Sequence, residues 1–472
     1  MAIRFGTDGW RGIIAEDFTF ANLRLASQGL ALWARRHAPP GPWVVGYDCR
    51  FASEDFADAC AEVLAGNGLP VLLCDRPAPT PVVAWNILAH HGAGGVVITA
   101  SHNPARWNGF KVKTSHGSSA PPEQVEALER IINSLMPEAV RPLPKKDALA
   151  QGLLRLVDPI PPYDQQVARR VDLALVRSAG LTVVVDAMHG TGAGYIPRLL
   201  AGGTTRILEI RGERNPLFPG MHNPEPIAPN LAPLSQAVRQ HHAQVGLAFD
   251  GDADRLGVVD EGGNFLTALD AFALLAFFLL EVRGLRGPLV KTLTSSRMLL
   301  RLGERYRVPV YETPVGFKFV APLMLQHNAL IGGEESGGFA FQGHLPERDG
   351  ILSGLLFLEF MARTGKTPSQ LLALLHQAVG PHFYARRDFP FPPEERETIR
   401  QRLNNAYPDT LAGLPVRRKD TTDGWRWVLE DQWWLAVRFS GTEPLLRIYA
   451  EADSPQRVEA LLDAGQALAG VG

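Results

Sequence analysis

Cysteine is scarce in this chain. Only Cys49, Cys60 and Cys74 occur, all within the first hundred of 472 residues. An odd, clustered trio in so long a chain makes no disulfide framework and favours a reducing compartment. Long apolar runs are also missing. The longest, residues 271–280, falls far short of the roughly 20 residues that span a bilayer. It starts after Asp270 and ends at Glu281, which reads as a capped, buried helix. The first residues, Met-Ala-Ile-Arg-Phe-Gly, hold no apolar signal core. A cytoplasmic protein without a membrane anchor is expected. Charge of one sign is lacking too: 47 Lys plus Arg face 49 Asp plus Glu, a net charge of -2. No broad positive field favours nucleic acid, so an anionic ligand needs a local site. Lysine is rare, with eight among the 47 basic residues. Each lysine therefore merits locating.

What is present is ordinary globular material, 46% hydrophobic and 20% charged. The length exceeds the roughly 250–300 residues at which single cores stop growing, so several domains are expected. Strand-length apolar runs at 42–48, 69–74 and 94–99 alternate with a helical pattern at 54–65, with Ser53 as its candidate N-cap. That alternation predicts α/β units. A Pro-rich break at 158–162 suits a linker. Further strands are expected at 181–185, 206–210 and 245–249, then at 289–293, 308–313 and 329–332. A second break at 386–393 precedes a smaller unit with strands at 434–439 and 445–450 and a last helix. The predicted domains are 1–157, 158–255, 256–380 and 381–472.

In each of the first three units an apolar strand enters a short polar loop. Ligand loops sit at the carboxyl ends of strands in open α/β sheets, so three such loops could converge on one cleft. The strongest is Asp250-Gly-Asp-Ala-Asp-Arg255. Its alternating carboxylates share one side of an extended loop and suit Mg²⁺ or Ca²⁺. An EF-hand is disfavoured, because Arg255 stands where that turn requires Gly and the segment follows a strand. A solvated acidic turn is the plainer reading, but three close carboxylates repel one another without a cation.

Thr99-Ala-Ser-His-Asn-Pro104 ends in a turn signal, and a simple strand end is its plain reading. Neighbouring side chains of an extended segment point apart, so Ser101 and His102 make a poor nucleophilic dyad. Ser101 could instead accept a phosphoryl group, whose charge would suit the acidic loop. Glu334 and Ser336, two residues apart in a Gly-rich loop, could clamp vicinal sugar hydroxyls. Arg438, Ser440 and Thr442 alternate on one face, Gly441 permits close backbone approach, and Arg447 follows on the next strand. Together they make a reasonable phosphate cradle, although an exposed hairpin is the favoured reading of the motif alone. Lys111, Lys291 and Lys318 lie near these loops.

With these loops placed, the chain resembles the α-D-phosphohexomutase superfamily, which includes phosphoglucomutases and phosphomannomutases. The likeness spans nearly the whole chain, with four motifs in order. Thr99–Pro104 resembles the phosphoserine loop, Asp250–Arg255 the metal loop, Gly333–Gly337 the sugar-binding loop and Arg438–Pro444 the phosphate-binding loop. Phe5-Gly-Thr-Asp-Gly-Trp-Arg-Gly12 is similar to the family's opening segment. Two positions depart from its pattern: Gly338 stands where several members have His, and Gly441 where some have Asn.

The resemblance implies three related mixed-sheet α/β domains and a smaller α+β C-terminal domain around a central cleft. It implies phosphorylated Ser101, with Mg²⁺ held by Asp250, Asp252, Asp254 and a phosphoserine oxygen. Arg11, His102 and Lys111 would surround the reacting phosphoryl group, Lys111 as a general acid/base. Glu334 and Ser336 would bind sugar hydroxyls. Arg438, Ser440, Gly441 and Thr442 would bind the resting phosphate, with Arg255, Lys291 and Lys318 as secondary substrate contacts. The implied reaction interconverts hexose 1- and 6-phosphates, of glucose or mannose, through a hexose 1,6-bisphosphate. A phosphoglucosamine mutase and a metal-dependent sugar phosphatase are the alternatives. Glucosamine enzymes usually carry Gln where this chain has Glu335. Small hexose phosphates are the expected partners, and a monomer or homodimer is expected.

Overall fold

The computed structural model describes residues 3–6, 8–440 and 445–471. Four sheets follow one another along the chain. In the first, Trp43–Tyr47, Val71–Cys74, Gly94–Ile98 and Leu154–Val157 run parallel. Every residue of Trp43–Tyr47 and Gly94–Ile98 is buried, as expected of strands covered on both faces. Trp107–Lys113 then pairs antiparallel with Gly94–Ile98, and Trp10–Ile13 pairs antiparallel beyond it.

The second and third sheets repeat that plan. Thr182–Asp186, Arg206–Ile210 and Val245–Phe249 are parallel, and Leu256–Val259 turns back antiparallel on Val245–Phe249. Leu289–Thr292, Val310–Thr313 and Ile331–Gly333 are parallel, and Phe339–Phe341 turns back on Ile331–Gly333. Each of the three loops singled out in the sequence lies at the carboxyl end of a parallel strand. Each is followed by that strand's antiparallel neighbour. The last sheet is antiparallel throughout, with helices at Arg396–Asn405 and Pro455–Ala469. The architecture is therefore three mixed-sheet α/β domains and a smaller α+β domain.

Several sequence expectations need correction. The second sheet does not end at 255, because Leu256–Val259 and Phe265–Leu266 belong to it through hairpin pairing. The Pro-rich segment at 158–162 is not a free linker. Helix Ile160–Arg170 starts inside it, with proline in the first turn, where its missing N–H costs nothing. The break at 386–393 is largely strand, Phe383–Pro390, at the edge of the last sheet, where proline is tolerated. Ser53 is not the N-cap of helix Ser53–Gly66. That place falls to Ala52, and the Ser53 hydroxyl donates to Asp48 instead. Helix Ala268–Phe277 starts three residues before the predicted run and is capped by Thr267, in a reciprocal capping box with Asp270. Residues 271–280 are buried in the main apolar core. Among the described residues, no helix is long and apolar enough to cross a membrane.

That core runs from the first sheet through the second and third, whereas the last domain encloses a separate one. His382 sits where the last domain begins. It packs against Trp433 and its Nδ1 donates to the Gly380 carbonyl at 2.9 Å. Burial pushes its imidazole down to about 4. Below the ordinary histidine range near 6.5 the unfolded chain binds this proton first, so stability falls as pH drops from about 6.5 to about 4. His382→Gln should flatten that part of the stability profile in urea titrations at successive pH values. An unchanged slope would show that His382 does not contribute.

Candidate active site

Ser101 occupies a left-handed turn, with φ of 50°, rather than an extended segment. The loop is held from beneath by a charge that sequence reading missed. Arg50, wholly buried, donates to the carbonyls of Ser101 at 2.5 Å, Asn103 at 2.6 Å, Pro104 at 2.9 Å and Trp107 at 3.2 Å. Its Nε lies 3.1 Å from Asp48, which also accepts from Thr99, and Thr99 accepts from the Ser101 amide. The signal was Asp48-Cys-Arg50 at the end of the strand Trp43–Tyr47, one more polar turn after an apolar run.

The turn aims the Ser101 hydroxyl at the acidic loop, where it donates to Asp250 Oδ2 at 2.8 Å. His102 Nδ1 lies 3.4 Å from Ser101 Oγ, too long for an aligned dyad. Arg11, on Trp10–Ile13, donates to Asn103 at 2.5 Å. Burial, together with Arg255, Arg11, Lys111 and Arg50, holds the His102 imidazole well below its ordinary range.

Asp250, Asp252 and Asp254 are fully buried, and each presents a carboxylate oxygen within 4.8 Å of the others. Asp250 Oδ1 accepts from the amides of Asp254 and Arg255, which curls the loop. Burial and the neighbouring Asp254 and Asp252 push the Asp250 carboxyl well up. Burial would raise Asp252 as well, but the Lys111 ammonium holds it below its ordinary value. Asp252 Oδ1 and Asp254 Oδ1 are buried without a hydrogen-bond partner. Such orphaned oxygens are costly unless something binds them. Three hard carboxylates beside a serine hydroxyl fit a small divalent cation such as Mg²⁺.

The countercharge comes from other domains. Lys111, wholly buried on Trp107–Lys113, lies 2.8 Å from Asp252, 2.9 Å from Asp8 and 3.5 Å from Asp254. Burial would lower its ammonium, but these three carboxylates raise it above the ordinary range. Arg348 reaches Asp8 at 2.6 Å, Asp254 at 2.9 Å and Glu347 at 3.2 Å. Lys113 pairs with Glu347 at 2.6 Å and Asp8 at 3.4 Å. Sequence reading missed Asp8, Lys113, Glu347 and Arg348. Two of only eight lysines, at alternate positions on a buried strand, were the available clue. Arg255 donates to Glu225 at 2.7 Å and stands close enough to influence His102.

In the third loop, Glu334 Oε1 accepts from the Gly316 amide at 2.9 Å, and its Oε2 lies 3.9 Å from Arg348. The Ser336 hydroxyl is buried without a hydrogen-bond partner. A Cβ on Gly338 would fall 2.3 Å from Arg348 Cδ, so the passing arginine leaves no room for a side chain there. Lys318 lies two residues beyond Gly316, in the first turn of Phe317–His327, and its ammonium stands over the Phe319 ring.

Lys291 does not join the acidic loop. It pairs with Glu312 at 2.9 Å, and Glu312 also binds Arg426 of the last domain. Arg438 is bound by both oxygens of Asp423, which in turn accepts from the Val315 amide. Ser440 ends the described part of the fourth loop, and its amide donates to the Leu445 carbonyl at 2.8 Å. Gly441 and Thr442 lie outside the described residues.

Family models cover most of the chain. Phosphoglucomutase/phosphomannomutase alpha/beta/alpha domains I, II and III match residues 2–138, 161–263 and 270–378, and the C-terminal domain matches 399–465. The chain is 33% identical over 98% of its length to a phosphoglucomutase/phosphomannomutase of Thermococcus kodakarensis, of which 97% is covered. It is 32% identical, with the same coverages, to a provisionally assigned phosphoglucosamine mutase of Pyrococcus abyssi. A crystal structure of a provisionally assigned phosphomannomutase from Thermus thermophilus superposes with a TM-score of 0.86. That pair is 37% identical, covering 100% of this chain and 99% of the other.

Arg50→Met should strand the buried Asp48 and four carbonyls. A loss of about 3–5 kcal/mol is expected in urea unfolding, with only partial recovery in Arg50→Lys, whose ammonium lacks the fork. A loss below about 1 kcal/mol would refute the support role.

Proposed function

Because the chain belongs to the phosphoglucomutase/phosphomannomutase family and is an intramolecular phosphotransferase, we propose that it interconverts hexose 1-phosphate and hexose 6-phosphate, with glucose or mannose as the sugar. The reading rests on one observation above others: the Ser101 hydroxyl points at Asp250, beside two orphaned carboxylate oxygens. Ser101 is the phosphoryl carrier, and a hexose 1,6-bisphosphate is the intermediate. In the first transfer the phosphorus–Oγ bond of phosphoserine breaks as a bond forms to the free hydroxyl of the hexose phosphate. The bisphosphate turns about, and its other phosphate returns to Ser101.

Asp250, Asp252 and Asp254 would hold Mg²⁺, which when bound supplies charge neutralisation for the phosphoryl oxygens. Lys111 and Arg348 pair with Asp252 and Asp254, so the loop keeps its shape as charge moves through the site. Arg11 and His102 flank the same turn and would orient the phosphoryl group. His102, held neutral, is placed to accept the proton that leaves the sugar hydroxyl, and Lys111, held protonated by its carboxylates, would act as the acid. Glu334 and Ser336 would take the sugar hydroxyls. Arg438, Ser440, Gly441 and Thr442 would bind the phosphate that is not reacting, with Arg255, Lys291 and Lys318 as outer contacts. The four domains correspond in this reading to phosphoserine, metal, sugar and phosphate loops, with the second extended through Leu266.

Relatives assigned to glucosamine phosphate lie at nearly the same identity as the phosphoglucomutase/phosphomannomutase relative. Rates on glucose, mannose and glucosamine 1-phosphates, with Mg²⁺ and a bisphosphate primer, separate the readings. Glucose or mannose phosphate should be turned over fastest. Faster turnover of glucosamine phosphate supports the alternative, and release of free phosphate without isomerisation supports a phosphatase. Intact-mass analysis should find one phosphoryl adduct that hexose phosphate removes. Ser101→Ala should abolish the adduct and lower kcat by about a thousandfold or more. Chelation of divalent cations should abolish turnover reversibly.

A further inference from the structure

Glu335 stands between Glu334 and Ser336 at the tip of the third loop, yet its carboxylate is engaged by another domain. Glu335 Oε1 accepts from the Tyr384 hydroxyl at 2.8 Å and lies 3.2 Å from Arg386 Nη1. Both partners lie on Phe383–Pro390, the first strand of the last sheet. The contact continues as a row of alternating charge. Arg386 Nε is 3.1 Å from Asp388, and Asp388 is 3.7 Å from Arg447. Tyr384, Arg386 and Asp388 occupy alternate positions, hence one face of the strand. Arg447 is the cross-strand neighbour of Asp388 on one side and of Arg438 on the other. Its strand, Leu445–Ala452, begins where the fourth loop ends. The row therefore runs from the tip of the sugar loop to the root of the phosphate loop.

We propose that Glu335 is a positioning residue that sets the distance between these two loops through the row Glu335–Arg386–Asp388–Arg447. A hexose phosphate must touch both loops at once, with hydroxyls at one and phosphate at the other. Binding at two linked points gains only when their spacing is held in advance. All four side chains are at most one-third exposed, so each pair is shielded from salt more than a surface pair would be. Arg386 keeps Asp388 if Glu335 is lost, so truncation at Glu335 orphans no charge. The inference rests on the mutase reading for its ligand, but the row itself exists without one. On this assignment the acid at 335 acts through domain spacing, and exchanging it for Gln leaves sugar choice unaltered.

Three measurements test it on the full chain. In ligand-free protein, Glu335→Ala should speed amide hydrogen exchange at 334–338 and at 384–388. Unchanged exchange at both segments would overturn the coupling, whatever the substrate proves to be. By calorimetry, Glu335→Ala should weaken glucose 6-phosphate about tenfold, the worth of one charge-assisted contact, and leave inorganic phosphate within twofold. An equal loss for both ligands would make Glu335 a prop of the phosphate loop alone and overturn the proposal. In kinetics, KM should rise with kcat held within about threefold. Arg386→Gln should produce the same rise, and the double variant should be no worse than either single one. Glu335→Gln, which keeps the acceptor for Tyr384, should recover part of the loss. Its kcat/KM ratios among glucose, mannose and glucosamine phosphates should match those of the native chain. A tenfold change in those ratios would mean that Glu335 reads the sugar, and strictly additive single effects would mean that no row exists. Absence of wild-type mutase turnover, with the exchange effect intact, would reject the mutase reading and retain the coupling.

Discussion

Everything at the site depends on a buried cluster of charge where three domains meet. Lys111 and Lys113 come from the first sheet, Asp252 and Asp254 from the second domain, and Glu347 and Arg348 from the third, with Asp8 between them. Taking so many charges out of water costs several kcal/mol per ion, and only close pairing recovers it. The pairing is close because each cation faces at least two carboxylates. Such a cluster is a poor source of net stability but a strong constraint on geometry. Any domain shift that separated Lys111 from Asp252 and Asp254 would cost both aspartates a buried cation and leave Lys111 with Asp8 alone. The acidic loop is therefore held at a fixed place opposite Ser101, and its orphaned oxygens remain pointed at one volume.

The fold produces this meeting by repeating one device. A parallel strand ends, a loop crosses its carboxyl end, and the chain returns antiparallel beside it. In the first domain the return strand carries countercharge for its neighbours: Lys111 reaches the acidic loop of the second domain and Lys113 reaches Glu347 of the third. In the third domain the countercharge comes later, because the return strand Phe339–Phe341 is short and Arg348 arrives just before the helix Gly350–Thr364. Arg348 then passes so close to Gly338 that no side chain fits there. The glycine at 338, a departure from the family pattern in the sequence, leaves the space that the Arg348 side chain fills.

The strands were legible because apolar runs such as Trp43–Tyr47 and Val245–Phe249 are buried on both faces and bounded by turn residues. Ser101, the three aspartates, Glu334 and Ser336 were legible because each sits in a short loop of unusual composition. Boundaries were less legible. The hairpin return at Leu256–Val259 looked like the start of a new unit, since nothing local tells a return strand from a first strand. Asp8 and Arg348 were not legible for a different reason. They are 340 positions apart in the chain, and a buried ion pair between them leaves no mark in either neighbourhood. Lys291 differs again. It stands at a strand end like a site residue and pairs with Glu312, which also binds Arg426 of the last domain.

The third loop shows how recognition and support divide between adjacent residues. Glu334 commits one oxygen to the Gly316 amide and turns the other toward Arg348, so it is tied to the acidic loop through a shared cation. Ser336 leaves its buried hydroxyl without a protein partner. Glu335, between them, is bound to the last domain. The tip is a tight turn, closed by the Gly337 amide donating to the Glu334 carbonyl at 3.2 Å, and its neighbouring side chains take different partners. In the proposed reading residues 334 and 336 meet the sugar, whereas 335 meets the last domain. A substitution at 335 therefore changes where the loop stands, whereas one at 334 or 336 changes what the loop touches.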